Sequence, residues 1–477
     1  MAGGPSPSVT QWLVTLACAA LLWQQRSAVD ANVLARGLRV AAIISTFMGL
    51  AQYYGLAWPF YPLVHPGQIG EAFANLRQRN QFATLTSMGL AAVIWMGANR
   101  SEGPVAWSRL GTMLAAVLLA AGNAASSSRT GLLHLLVLAG LWALWGGWRR
   151  PASRRLLLLA LVSYGLALLL LPLFAGLNPA THGAAARIVA NQESVACQSR
   201  LILWSNVLHL ISMRPWLGWG WGELDYAHFI TLYDGNRFCE ILDNAHNLPL
   251  QLAVELGLPA TLIILGGASA WVFRARPWRE PAPSRQMLWA VLAVLLAHSL
   301  LEYPLWYGPF LMTFVICVLL LHFRQERHHP PLVDKARVSG SVDLAAVCGV
   351  LLLISYAAWD YWRVSQIFYP PDARAAAYRE HTLAKVQDTW IFQEEVRFAD
   401  FTSAPLTPDN ANRLYDLGRQ VLHFSPEAQV VSKLIESAQL LGKREEVAFY
   451  LARYRAAFPG KQEIASPEVA TGRSNPL

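Results

Sequence analysis

Charge is what this 477-residue chain has least of. Asp, Glu, Lys and Arg make up 14% of it, against about a quarter in soluble globular domains. Hydrophobic residues reach 54% and the mean hydropathy is +0.31, so the chain reads as a polytopic membrane protein. Cysteine is scarce as well: there are five, with no CxxC pair and no Cys/His spacing, which argues against a zinc site. The net charge of +8 comes with no nucleic-acid motif. Its basic residues sit in short clusters between apolar runs, the pattern of a topology signal. The first apolar run has no charged stretch before it and no convincing cleavage site after it, so it does not read as a cleaved signal peptide.

What the chain has is long apolar runs. A bilayer-crossing helix needs about 20 mostly apolar residues. Candidates fall at 9–24, 33–56, 82–98, 106–123, 130–147, 154–175, 245–272, 286–301, 303–322 and 342–361, about ten spans. The Arg-rich stretches RRPASRR (149–155), RARPWREPAPSR (274–285) and RQERHHPPLVDKAR (324–337) fall in alternate loops and should be cytoplasmic. Threading outward puts 57–81, 124–129, 176–244, Glu302 and everything after 361 on the opposite face. The expected domains are N-terminal spans 1–175, a long external loop 176–244, C-terminal spans 245–361 and a soluble tail 362–477. The tail ends in helix-like segments punctuated by Pro and Gly and resembles a short tetratricopeptide-like (TPR-like) array, a plain helical bundle being the alternative.

Cys18, Cys317 and Cys348 fall in spans and read as core residues. Cys197 and Cys239 share the external loop. If that face is oxidising they can form a disulfide; otherwise they are two free thiols. The external face also collects polar groups. Arg129 starts a span in SSSRTGLLHLL. Arg200 lies on an expected amphipathic helix and is followed by a turn built on Pro215, Gly218, Gly220 and Gly222. His246 and Asn247 come next, in DNAHNLPLQLAVELGLPA. Alone, each arginine reads as interfacial snorkelling, and His246, Asp243, Asn244 and Asn247 as helix caps. Together, two guanidinium groups at the bilayer surface suit a lipid-borne phosphate or diphosphate. A histidine suits a general base for a hydroxyl. Arginines that neutralise a diphosphate leaving group take a role that metal ions fill elsewhere. The external face carries no compact Asp-x-Asp pair, so no metal and no other cofactor is expected.

His246-Asn247, nine residues, then Gly257 resembles the signature of the bacterial O-antigen ligase and polymerase superfamily, whose Wzy_C pattern also includes a loop like SRLILW…RPWLGWGWGEL. Trp204 stands where the ligase form has Leu, and Ala260 where it prefers Gly, Thr or Tyr. NLRQRNQFATL (75–85) and EYPLWYGPFL (302–311) are similar to blocks of the PglL-type protein O-oligosaccharyltransferases, with Ala74 at a usual glycine.

The resemblance, over roughly 40 to 460, implies a GT-C-like all-α membrane fold in the bacterial inner membrane with a periplasmic active site. It implies transfer of an oligosaccharide from an undecaprenyl-diphosphate donor to a hydroxyl of a periplasmic, pilin-like protein. His246 would be the catalytic base, and Arg200 with Arg129 would bind the diphosphate. Gln78, Asn80, Asn247, Tyr303, Tyr307 and Glu302 are candidate substrate or acceptor contacts. Asn80 and Gln81 read equally as helix caps, and Tyr303 and Tyr307 as an aromatic belt. His298 is a weaker candidate, and the adjacent His328 and His329 make a poor metal site. The alternatives are an O-antigen ligase or polymerase acting on lipid A-core or a growing glycan, and a lipid-linked glycan transporter. A transporter should show midplane charges and repeated halves, and neither is evident.

Overall fold

The computed structural model describes residues 30–61, 63–96, 109–178, 196–323 and 339–461. The expected span 9–24, Cys18, His328 and His329 lie outside these. Among the described residues the fold is all-helical, with no strand. In chain order the helices are α1 (Ala31–Tyr53), α2 (Arg79–Met96), α3 (Arg109–Ala125), α4 (Arg129–Leu144), α5 (Pro151–Phe174), α6 (Arg200–Met213), α7 (Leu224–Ile230) and α8 (Leu248–Ala275). They continue with α9 (Pro283–Ser299), α10 (Gly308–Phe323), α11 (Ser339–Ser365), α12 (Gln393–Ser403), α13 (Ala411–Phe424), α14 (Ala428–Leu440) and α15 (Arg444–Ala457).

Each expected span other than 9–24 falls on one of these helices, with two informative differences at the ends. Residues 245–247 are a turn, because His246 takes a left-handed φ of +49°. Residues 304–306 form a separate 3-10 turn, with Pro304 at its start, ahead of α10. Among the described residues, three helices are long and apolar enough to cross a membrane: Ala31–Tyr53, Pro151–Phe174 and Leu248–Arg279. Arg109–Ala125, Arg129–Leu144 and Gly308–His322 are apolar but shorter.

The described chain forms two compact units. One comprises 30–178 and 268–352. Here α2 is central, packed by α1, α3, α4 and α9, and almost every residue from Gln81 to Trp95 is buried. Its hydroxyls bond within the helix: Thr86 to Phe82 O and Ala83 O, and Ser87 to Ala83 O. Asn123 of α3 then donates to Ala83 O (3.1 Å), Thr86 Oγ1 (3.1 Å) and Ser87 Oγ (2.9 Å), so the buried hydroxyls are used twice. In α1 small side chains face inward (Ala31, Ala35, Ala42, Thr46), while Val33, Val40, Ile44 and Phe47 face outward. In α5, Ala160 and Ala167 are inside and Leu158, Val162, Leu166, Leu169 and Leu173 outside. Small residues at helix contacts with large apolar ones outward is the arrangement of helices that meet lipid.

Charge sorts to the two ends of this unit. Where α4 stops and α9 starts, Trp145 Nε1 donates to Pro277 O (2.7 Å) and Arg150 Nη1 to Gln286 Oε1 (3.0 Å). The basic stretches 149–155 and 274–285 therefore meet. Where α4 starts and α9 stops, Asn80, Ser128 and Glu302 meet.

The other unit comprises 196–267 and 353–461. The described part of the long loop 176–244 holds α6, α7 and tight turns. Contrary to expectation, α6 is not amphipathic: Leu203, Val207 and Leu210 are buried on one face, while Leu201 and Leu208 are exposed on the other. In the tail, α12 to α15 pack consecutively around Phe401, Leu414, Tyr415, Leu434 and Ile435. Phe229 of α7 joins that core. Tyr226 stacks on His423 (centroids 3.7 Å apart) and Arg453 Nε donates to Ile230 O (2.6 Å), so the tail clasps α7.

A buried ion pair within α11, Asp360 with Arg363, also anchors the tail, beside the apolar contacts of Val364 with Val386 and Phe392. Asp360, fully buried, accepts from Arg363 Nε (2.7 Å), Thr389 Oγ1 (2.7 Å) and the Ile391 amide (3.3 Å), while Arg363 Nη1 reaches Asp388 (2.7 Å). Removing one partner of a buried pair strands the other charge, at a cost of about 3 kcal/mol. Asp360→Ala is therefore expected to lower the melting temperature of the tail and to speed proteolysis between residues 385 and 395, both measurable on detergent-purified protein.

Candidate functional site

The candidate site in the loop-and-tail unit starts from a break in α8. Gly257 has φ +81° and ψ 166°, a conformation that only glycine adopts readily. Pro259 follows and has no amide hydrogen. The regular helical bonds from residues 258 and 259 to the carbonyls of Val254 and Glu255 are therefore replaced. Leu258 N–H donates instead to Pro215 O (2.8 Å), the Val254 carbonyl accepts from Trp219 N–H (2.8 Å) and the Glu255 carbonyl from Gly220 N–H (3.0 Å). The glycine turn 215–220 thus docks on α8 by three backbone hydrogen bonds. Only glycines allow it. A Cβ on Gly257 would lie 2.3 Å from Trp216 O, and one on Gly218 would lie 2.3 Å from Glu255 O.

This docked turn leads to the His246 loop. Glu255 Oε1 accepts from Gly222 N–H (2.9 Å) and from Gln251 Nε2 (2.8 Å), and Gln251 Oε1 accepts from Ala245 N–H (2.6 Å). Asn244 Oδ1 accepts from His246 N–H (2.8 Å), which supports the left-handed residue. Asn247, rather than His246, caps α8: its Oδ1 accepts from Leu250 N–H (3.1 Å). The imidazole is half-buried. Loss of hydration raises the Asp243 carboxyl above its usual range, and His246 opposes that rise.

Arg200 is the first residue of α6, whose N-cap Ser199 accepts from Leu201 N–H. One turn on, and on the same face, Trp204 Nε1 donates to Ala245 O (3.1 Å). The helix face that bears Arg200 is thereby held against the residue preceding His246. Cys197 and Cys239 form a disulfide (Cα–Cα 5.4 Å), and Gln198 Nε2 donates to Glu240 Oε1 (2.7 Å). Both tie the start of α6 to the strand of chain that leads into His246. Buried Asn206 anchors the same segment from α6, through Phe238 N–H (2.8 Å) and Asn236 O (3.0 Å). Arg214, not singled out from the sequence, lies 4.0 Å over the ring of Trp219. Gln251, Glu255 and Asn206 were likewise missed. Only their spacing from His246 and within α6 offered a signal, and without the turn geometry it carried no role.

The same unit holds a cavity of about 20 Å³, room for roughly one water, lined by Asp225, His228, Arg237, Glu240 and Phe458 among others. His228 is structural. Its Nε2 faces Phe238 O (3.1 Å) and so donates, its Nδ1 accepts from Tyr233 Oη (2.8 Å), and burial pushes its pKa down to about 3. Burial raises Asp225 to about 8, with Asp243 and Glu223 adding to the rise and the Tyr226 amide opposing it.

The remaining expected residues belong to the bundle unit. Glu302, buried, accepts from Asn80 Nδ2 (3.2 Å) and Gln78 Nε2 (3.4 Å), and Asn80 Oδ1 accepts from Ser128 Oγ (2.6 Å). Ser128 also caps α4 through Thr130 N–H (3.1 Å). Asn80 and Gln81 lie inside α2 and make no cap bond. Arg129 is exposed at the first position of α4, with no partner among the described residues. Tyr303 and Tyr307 have ring centroids 6.1 Å apart. Buried His298 lies 2.7 Å from Thr84 Oγ1. Ala74 takes φ +50°, and the buried Gln52 amide holds it there by accepting from Ala74 N–H (2.7 Å) and donating to Ala74 O (3.0 Å).

Known families match the stretches that carry these residues. A protein glycosylation ligase family matches residues 72–96, the O-antigen ligase family 114–265, and the C-terminal family of a virulence-factor membrane-bound polymerase 286–471. The resemblance to O-antigen and protein-glycosylation ligases is thereby shown. Two relatives are named proteins of Acinetobacter baylyi. A general O-oligosaccharyltransferase is 27% identical over 249 residues, covering 50% of this chain and 42% of that protein. A ComP-specific O-oligosaccharyltransferase is 24% identical over 246 residues, covering 51% and 42%. The matched region thus spans less than half the length of either relative. No solved structure matches.

Two outcomes follow from this geometry. Gly257→Ala should cost about 3 kcal/mol, combining a disallowed φ with a clash against backbone, whereas Gly222→Ala, left-handed but with open space around it, should cost about 1 kcal/mol; melting temperatures of the purified variants give the comparison. Asp225 binds its proton more tightly in the fold, so its contribution is complete below about pH 4 and lost as pH rises through about 8. Asp225→Asn, which keeps the acceptor for Tyr226 N–H, should melt above the parent at pH 8 and converge with it below about pH 4.

Proposed function

We propose that the chain is a glycosyltransferase of the bacterial inner membrane, working on its periplasmic face. It transfers an oligosaccharide from an undecaprenyl-diphosphate donor to a Ser or Thr hydroxyl of a periplasmic protein. The observation that carries this reading is His246, set on a backbone-locked turn against the helix face that starts with Arg200. In the proposed step the acceptor oxygen attacks the anomeric carbon from the side opposite the diphosphate. The hydroxyl proton passes to the His246 imidazole as the new C–O bond forms. The bond from the anomeric carbon to the diphosphate oxygen breaks, and configuration inverts. Arg200 neutralises the charge that develops on the leaving diphosphate, and Arg129, exposed and without a partner among the described residues, serves as a further ligand for it.

In the bundle unit, the amides of Gln78 and Asn80, oriented by Glu302, contact substrate, with Tyr303 and Tyr307 as stacking surfaces for sugar. Asn247 holds the His246 turn in place as the cap of α8. The acceptor is a protein in this reading because both named relatives are O-oligosaccharyltransferases and a protein glycosylation ligase family matches the Gln78 segment. The second reading, an O-antigen ligase acting on lipid A-core, is favoured by the O-antigen ligase match over 114–265, which includes His246. Glycan mass on periplasmic proteins and on lipid A-core, measured with and without the gene, separates the two.

His246→Ala should abolish transfer while membrane levels of the protein persist; normal glycosylation by that variant in a complementation assay rejects the base assignment. Arg200→Lys should lose at least about 10-fold in kcat/KM, because an ammonium cannot reproduce the two-pronged guanidinium contact, and unchanged kinetics would remove Arg200 from the donor site.

A further inference from the structure

The reading of His246 as the base leaves open what aims it. We propose that Gln251 is a positioning residue: with Glu255 it forms a two-link strap from the glycine turn at Gly222 to the backbone under His246, and so sets the direction of the imidazole.

The strap is continuous. Gly222 N–H donates to Glu255 Oε1 (2.9 Å), Gln251 Nε2 donates to the same oxygen (2.8 Å), and Ala245 N–H donates to Gln251 Oε1 (2.6 Å). Gln251 is 1% exposed and Glu255 3%, so water does not compete for these bonds. The two side chains are four residues apart and share one face of α8. Ala245 is fixed at both polar groups, its N–H by Gln251 and its carbonyl by Trp204 (3.1 Å). His246 follows directly, and its left-handed backbone persists only where the surroundings over-determine it.

The chemistry requires an amide at position 251. Glu255 Oε1 is the acceptor for both Gly222 N–H and residue 251, so position 251 must donate. Ala245 N–H only donates, so the same residue must accept. A carboxylic acid meets both demands only while protonated, and a thioether meets neither. Gln251→Glu should therefore turn the strap into a pH-dependent one, intact when the 251 and 255 carboxyls share a proton and broken by like-charge repulsion when both ionise. Gln251→Met keeps the length and deletes both bonds.

The test uses the full-length protein in detergent or nanodiscs, with two readouts. One is transfer kinetics from a lipid-diphosphate oligosaccharide to a periplasmic acceptor protein. The other, which needs no turnover, is the rate at which diethylpyrocarbonate modifies His246, resolved by peptide mass spectrometry and referenced to exposed His65. Gln251→Met should lower kcat at least 10-fold, leave the donor KM within about two-fold, and change His246 modification several-fold without affecting His65. Gln251→Glu, the conservative variant should the Met variant fail to accumulate, should match the parent near pH 5.5 and lose activity toward pH 8. Unchanged His246 modification in Gln251→Met, or a Gln251→Glu profile parallel to the parent's, overturns the proposal. His246→Ala run alongside separates the two ideas: full activity in that variant removes the base reading, whereas the modification rate reports the hold of Gln251 on the imidazole whatever the chemistry.

Discussion

The contact of Gly257 with the turn around Gly218 is the constraint on which the rest of the loop-and-tail site depends. A helix that stayed regular through 254–259 would use the Val254 and Glu255 carbonyls internally. Because Gly257 leaves helical geometry and Pro259 has no N–H, those carbonyls face the glycine turn and accept Trp219 and Gly220. The approach is close enough that a methyl group on either glycine would strike backbone rather than a side chain that could move aside. Docking the turn in turn places Gly222 over Glu255, and from there bonded contacts continue to Ala245 and His246.

The surroundings hold the same segment from other directions. The Cys197–Cys239 disulfide closes the loop across a sequence separation of 42, which narrows the unfolded ensemble more than any single surface contact does. Asn206 fixes residues 236–238 from α6, and the tail clasps α7 through Tyr226, Phe229 and Ile230. In its proposed role as base, His246 gains from such over-determination, since small misplacements of a catalytic group are costly.

Much of the fold could be read from the sequence because lipid-facing helices are long, apolar and poor in charge, and every expected span from 33–56 onward coincides with a helix. The ends were less legible. Residues 303–307 are apolar enough to extend a span, but a proline-led turn interrupts the helix there; at 245–247 the polar His246 and Asn247 form a turn with a left-handed histidine ahead of the apolar run that follows. The helix at Arg200 was expected and is present, but not as an amphipathic one, because both faces of α6 are apolar. Of the candidate site, His246, Arg200 and the glycines were visible as motifs. Gln251 and Glu255 sit in the same quoted stretch, yet read as ordinary helix residues until the backbone shows what they bond.

The departures from the family pattern carry the physical argument further than the matches do. Trp204 occupies a ligase leucine position, and its indole N–H holds the Ala245 carbonyl, which a leucine cannot do. Ala74 occupies a usual glycine position, and it takes the positive φ that explains the preference for glycine there. The strain on Ala74 is offset by the buried Gln52 amide, which bonds both of its backbone groups. In both places a side-chain hydrogen bond fixes the backbone, so this chain holds those two positions by polar contacts of its own.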